Sequence, residues 1–172
     1  LCIFGGQMSK KVKILDANVI ETKLLRMAYE MVENNIDQKE IVIAGIQGRG
    51  MDIATIIKQK INAIAKIKTT LIQINIDKEN PVNCSLNSNM KLDGKSIIVV
   101  DDVANSGRTL LYALNPFLNV IAKKIQIAVL LDRKHKSYPV SADYIGTSLA
   151  TTYQEHISVE VKSGKVSGAY LL

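Results

Sequence analysis

The run Ile97-Ile98-Val99-Val100-Asp101-Asp102 constrains this chain more than any other feature. Four consecutive β-branched residues favour a strand buried on both faces, as in parallel sheets covered by helices. Two carboxylates at the end of such a strand are costly unless they meet a group that needs them. A short polar turn follows, Ala104-Asn105-Ser106-Gly107-Arg108-Thr109, and an apolar-periodic run from Leu110 reads as a helix. Ligands of open α/β sheets bind just beyond the carboxyl ends of the strands. A helix amino terminus there offers free N–H groups to an anion. Ser106 and Thr109 add hydroxyl donors, and Arg108 adds charge. Acceptors for sugar hydroxyls or a metal thus stand beside donors for a phosphate, a pairing that suits a phosphorylated sugar.

The rest of the chain supplies the frame. Val12 to Leu15 reads as a short strand and Asp16 as a helix cap, with Asn18 as the alternative. Ile20, Leu24, Met27, Ala28 and Met31 recur at helical spacing across residues 19–32. Ile41 to Ile46 is a buried strand, Gln47-Gly48-Arg49-Gly50 a turn, and Met51 to Ala65 a helix. Thr69 to Ile76 is a further strand, and 77–93 an aperiodic surface excursion. The helix after the acidic pair runs to Phe117 or Val120, with Pro116 kinking it or ending it early. Ile125 to Leu131 is a strand that leads into the basic loop Arg133-Lys134-His135-Lys136. Short strands follow at 142–145 and 157–161, then a turn at 163–165 and a last strand to Leu172. This alternation predicts an α/β fold with a mainly parallel sheet flanked by helices. The final hairpin predicts a small antiparallel appendage.

Composition narrows the class. The 172 residues, 47% of them hydrophobic, suit one domain, expected over 8–172; Met8 reads as an initiator and 1–7 as an upstream segment. No apolar run reaches the roughly 18 residues of a membrane span. Cys2 and Cys84 lack metal-ligand neighbours, and His135 and His156 are isolated, so neither a disulfide nor a zinc site is expected, and a cytoplasmic location fits. A net charge of +6 suits anionic partners, although Lys10-Lys11 and Lys123-Lys124 read equally well as solvated surface. The absence of Trp and the two Phe supply little surface for stacking single-stranded bases.

The acidic pair with its Ser106-Gly107-Arg108-Thr109 turn resembles the signature of the type I phosphoribosyltransferases, which bind 5-phosphoribosyl-1-pyrophosphate (PRPP). The resemblance implies that Asp101 and Asp102 hold the ribose hydroxyls, and that Ala104, Asn105, Ser106, Gly107, Arg108 and Thr109 wrap the 5′-phosphate. Mg²⁺ is implied as cofactor, carried by PRPP and touched by Asp101 and Asp102 rather than bound in a protein cage. The turn Gln47-Gly48-Arg49 stands where such enzymes bind the departing pyrophosphate, with Arg49 assisting catalysis. Without the resemblance it reads equally well as an ordinary strand-to-helix turn with a solvated Arg49.

The blocks Ile14-Leu15-Asp16, Leu25 to Met31, Gln126 to Arg133 and Ala142-Asp143-Tyr144-Ile145-Gly146 are similar to the PyrR group, regulators of pyrimidine operons that are also uracil phosphoribosyltransferases. That likeness implies a base site near Tyr144 and Ile145. Tyr144 reads equally well as a core residue. Two departures stand out. The excursion that closes over the site in that group carries an Arg-Asp-Asp run. Here it is short, Asn75 to Pro81, and holds no arginine; Lys78 is its cation. Gln47-Gly48 replaces a basic and a small hydroxyl residue. Asn105 carries no acid, which argues against 6-oxopurine enzymes. The expected function is phosphoribosyl transfer from PRPP to a nucleobase, uracil first, by a homodimer or higher homo-oligomer. The alternatives are a purine phosphoribosyltransferase and a PRPP- or nucleotide-sensing regulator that binds RNA.

Overall fold

The computed structural model describes residues 11–150, 155–162 and 164–172. The expectations for 1–7, Met8, Cys2, Lys10 and Ser163 lie outside the described residues. A six-stranded sheet forms the body. It contains β2 (Glu40–Ile46), β3 (Lys68–Ile76), β4 (Cys84–Leu86), β5 (Ser96–Ala104), β6 (Lys124–Arg133) and β7 (Tyr144–Leu149), in the order β4-β3-β2-β5-β6-β7. All neighbours run parallel except β4, which pairs antiparallel with β3. Helices α1 (Ala17–Glu33), α2 (Arg49–Ile64) and α3 (Arg108–Ala113) pack on it. A second sheet of β1 (Val12–Asp16), β9 (Lys165–Leu171) and β8 (Ile157–Lys162) is antiparallel throughout.

Alternation along the central strands divides the core into two layers. Ile41 and Ile43 of β2 and Ile98 and Val100 of β5 meet Ile20, Leu24 and Met27 of α1 and Ile53 and Ile57 of α2. Val42, Ala44, Ile97 and Val99 point the other way, toward Leu110, Ala113 and Phe117. Both faces being apolar explains why β5 reads as an unbroken hydrophobic run. Asp16 caps α1, its carboxylate accepting from the Val19 N–H at 2.9 Å.

Several boundaries differ from the sequence reading. β5 continues through the acids, pairing Asp101 with Val129 and Ala104 with Asp132, because the ladder to β6 persists beyond the apolar run. Asp101, Asp102 and Ala104 are therefore strand residues rather than turn residues. α2 begins at Arg49, so that arginine sits in the first helical turn. α3 has only six residues, and a separate 3₁₀ turn, Asn115–Phe117, carries Pro116 near its start. A proline there gives up no helical hydrogen bond. β7 starts at Tyr144 rather than Ala142, because the Asp143 carboxylate accepts from the Ile127 N–H at 2.7 Å instead of extending the ladder. The excursion hides β4, too short to announce itself. The appendage has three strands rather than two, since β1 returns to pair with β9.

Candidate active site

Three loops that leave the carboxyl ends of neighbouring strands meet at one place. From β2 comes the Gln47-Gly48 turn into α2, from β5 the acids and the 105–107 turn, and from β6 the 134–143 loop. Asp101 is 2% exposed and Asp102 6%, and the Asp102 N–H donates to the Asp101 carboxylate at 2.9 Å. Burial, and next the adjacent Asp102 carboxylate, push the Asp101 carboxyl well above the usual carboxylate range, while the Lys78 ammonium opposes the rise. Arg49 approaches from α2, with Nη1 3.9 Å from the Asp102 carboxylate. The pair thus has a cationic neighbour that the sequence does not reveal. α2 comes this close because Gly50 has no side chain: a Cβ there would stand 2.8 Å from the Val100 carbonyl and 2.9 Å from the Asp101 carboxylate.

The turn after β5 encloses a hollow of about 40 Å³ lined by residues 103–110. It has room for a few water-sized groups, hence for one phosphoryl group and not for a base. Gly107 adopts φ +82°, a backbone conformation that an L side chain resists. The buried Arg108 Nε has no hydrogen-bond partner among the described residues. An anion would satisfy it.

The loop after β6 fastens onto this turn. Ser137 and Tyr138 both donate backbone N–H groups to the Ser106 carbonyl, at 3.0 and 3.1 Å. Arg133 donates to the Asn105 side chain. Lys136 and Asp132 form an ion pair at 2.6 Å, both side chains largely shielded. The basic loop therefore turns Arg133 and Lys136 toward Asn105 and Asp132, as a strap on the 105–107 turn. Proximity across loops is invisible to sequence reading, and the four-residue spacing of Asp132 and Lys136 is no pairing signal in a strand and loop.

The base-site expectations divide. Tyr144 is 1% exposed and its hydroxyl bonds Gln126 Oε1 at 3.0 Å, beside buried Asn35. It offers no face to a base, which corrects its assignment as a cover. The aromatic ring is drawn into the core because buried polar partners await its hydroxyl. Ile145 is half-buried against the α3-side core. Sequence reading missed Arg26 of α1, whose guanidinium donates to the Ile145 and Gly146 carbonyls at 2.6 and 3.1 Å. It holds the strand on which Ile145 stands. No cluster of three or more acidic, His or Cys side chains able to hold a metal occurs among the described residues.

Known proteins resemble this arrangement. Residues 12–163 match the family described as phosphoribosyl transferase domain. A protein named bifunctional protein PyrR from Oceanobacillus iheyensis is 34% identical over 166 residues, covering 90% of this chain and 92% of its own. Its namesake from Enterococcus faecalis is 32% identical over 161 residues, 88% and 90% of the two chains. Among solved structures, a hypoxanthine-guanine phosphoribosyltransferase from Bacillus anthracis superposes with a TM-score of 0.70 at 20% identity, covering 85% of each chain. The Trypanosoma cruzi hypoxanthine phosphoribosyltransferase in complex with IMP gives 0.71 at 15%, covering 87% of this chain and 81% of that one. At these identities the structures bear on the fold alone.

Proposed function

The chain belongs to the phosphoribosyl transferase domain family, and on that premise we propose that it transfers phosphoribose from PRPP to uracil, giving UMP and pyrophosphate. One observation carries the reading: a buried acidic pair adjoins a phosphate-sized hollow within a single strand-and-turn unit. A ribose 5-phosphate spans that juxtaposition, its hydroxyls on Asp101 and Asp102 and its phosphate on the 105–109 turn. The relatives named bifunctional protein PyrR support uracil as the acceptor.

In the proposed reaction the bond from C1 to pyrophosphate weakens before the base nitrogen bonds fully, so C1 gains positive character. No nucleophile from the protein is needed. The chain supplies positioning and fixed charge. Asp101 and Asp102 orient the ribose. Asn105, Ser106, Gly107, Arg108 and Thr109 anchor the 5′-phosphate. Arg49, with the Gln47-Gly48 turn, faces the leaving group.

Mg²⁺ fits the donor set. Two hard carboxylate oxygens without a third acid suit an ion held mainly by substrate oxygens and water. Asp101 and Asp102 would hold it, and when bound it spreads the charge of the leaving group.

The enzyme reading is favoured over a purely RNA-binding regulator because Arg133 and Lys136 turn toward Asn105 and Asp132 and so form no continuous basic stripe. Any RNA binding is accordingly expected to be weak and steeply salt-dependent. Pyrophosphate release with PRPP, Mg²⁺ and a panel of bases tests the function. Uracil should be turned over, and Asp101→Asn with Asp102→Asn should reduce the rate by two orders of magnitude or more in a folded protein. Turnover of hypoxanthine in preference to uracil would transfer the assignment to the purine alternative. Parent-level activity in the double variant would remove the acids from the mechanism.

A further inference from the structure

At the end of the sheet opposite the ligand loops, where the parallel strands begin, lies a second hollow of about 420 Å³. Its wall sets Lys39, Lys68, Lys95 and Lys123 against two acids, Asp37 and Glu40. The sheet gathers these lysines from distant parts of the chain. Lys68 is the register partner of Glu40 where β3 and β2 start. The Lys68 N–H donates to the Lys39 carbonyl at 3.3 Å, and the Lys123 N–H donates to the Lys95 carbonyl at 2.9 Å. Both acids are already engaged. Glu40 accepts from the Thr70 hydroxyl at 2.7 Å and pairs with Lys68 at 3.0 Å and with Lys95. Asp37 pairs with Lys123 at 2.8 Å. An ammonium has three donors, so Lys68, Lys95 and Lys123 each keep donors to spare after these pairs. Lys39 is exposed and enters no ion pair among the described residues. Gln38 borders the same hollow. Its amide favours the charged form of Asp37, yet its buried Nε2 completes no hydrogen bond among the described residues.

Among the described residues no aromatic or apolar side chain lines this hollow, so it offers nothing to a base. It is about ten times the size of the hollow in the phosphate turn, more room than a single phosphoryl group fills. The lysines outnumber the acids and converge on one concavity instead of running along a stripe. That arrangement focuses positive potential on a compact anion rather than on an extended strand. We propose that the rim hollow is a second anion site that takes an oligophosphate, either inorganic or the triphosphate tail of a nucleotide. The proposal is independent of the phosphoribosyl-transfer reading, because neither the acidic pair nor the phosphate turn takes part. Ammonium groups on flexible stems suit such a ligand: they act as point charges and follow the phosphoryl oxygens without a fixed alignment. Both acids being paired, the wall keeps no free carboxylate for Mg²⁺, so the free polyanion rather than its magnesium complex is the form bound.

Calorimetric titration of the full chain with inorganic triphosphate, with UTP and with inorganic phosphate, each in the presence of a chelator, tests this. Triphosphate and UTP should bind alike, and phosphate about tenfold more weakly or worse, since it meets fewer ammonium groups. Lys39→Gln with Lys123→Gln should weaken triphosphate by about tenfold or more, the effect of lost charge-assisted contacts. PRPP affinity in Mg²⁺ should stay within about twofold of the parent in that variant, because the two sites are far apart. Lys39 and Lys123 are the residues to change because Lys68 and Lys95 hold Glu40, whereas the exposed pair of Lys123 with Asp37 contributes little to folding. Circular dichroism checks that the variant folds. Arg108→Ala, which disarms the phosphate turn, should leave triphosphate affinity unaltered. Unchanged triphosphate affinity in the lysine variant overturns the proposal. So does loss of triphosphate binding in Arg108→Ala, which would put the ligand in the phosphate turn. Inorganic phosphate bound as tightly as triphosphate, or UTP bound where triphosphate is not, overturns the ligand class. An RNA hairpin held through the same two lysines far more tightly than triphosphate would assign the hollow to RNA instead. A parent that binds triphosphate at the rim but no PRPP refutes the phosphoribosyl-transfer reading and leaves the rim site standing.

Discussion

Arg108 has two tasks at the scale of a single residue. One nitrogen of its guanidinium tethers the Glu79 carbonyl, while its buried Nε stands without a partner among the described residues. A buried donor left unpaired costs about 1–3 kcal/mol. Binding of a 5′-phosphate would remove that cost, which makes affinity sensitive to this side chain. Arg108→Ala and Thr109→Ala should each weaken PRPP by about tenfold or more, one charge-assisted hydrogen bond being worth roughly 1.5–3 kcal/mol. Titration calorimetry reads this directly, and unchanged affinity in both would reduce the turn to a helix start. The acids and the turn that follows them were legible as one strand-and-turn unit because their residue types follow one another along the chain. Tyr144 and Lys136 were not. One was drawn inward by the hydroxyl partners Gln126 and Asn35, the other by Asp132, and neither attraction has a local trace.

Among the elements, β7 depends most on a distant partner. It is an edge strand of the sheet, paired among the described residues with β6 alone, and Arg26 of α1 occupies two of its carbonyls. Arg26 also pairs with Glu30 one helical turn on, which orients the guanidinium. Arg26→Ala should free the Ile145–Gly146 segment and cost about 1 kcal/mol of stability. In steady-state assays it should raise KM for uracil several-fold with little change in PRPP affinity. Arg26→Lys should rescue poorly, because one ammonium cannot serve two carbonyls and a carboxylate in the same geometry. An unchanged KM for uracil would separate β7 from base binding. The long strands and helices α1 and α2 were legible from periodicity. β4 and the pairing of β1 with β9 were not, since three residues carry no period and the partner of β1 lies more than 150 positions away along the chain.

The whole molecule has a second charged centre at the amino-terminal rim of the sheet, far from the ligand loops. Glu40, at the start of β2, accepts from Thr70 and pairs with Lys68 at 3.0 Å and with Lys95. The hydrogen bond from Lys95, followed by that from Thr70, lowers its carboxyl to about 2 against an ordinary 4.5. A carboxyl depressed on folding contributes stability above its unfolded pKa and loses it as pH falls toward the folded value. Glu40→Gln should therefore be less stable than the parent in urea at neutral pH. The difference should shrink between about pH 4.5 and 2. A difference independent of pH would point to packing instead of charge. The variant should leave PRPP affinity unaltered, because the two centres lie at opposite ends of the strands.

The strand order has a consequence for how the two substrates' sites can fail. The phosphate turn hangs from β5 and the Gln47 turn from β2, both interior strands hydrogen-bonded on each side, whereas Ile145 stands on an edge. Interior ladders open only with the whole molecule, while edges fray in smaller, cheaper fluctuations. If the proposed sites hold, warming should weaken binding of the acceptor base before that of the sugar phosphate.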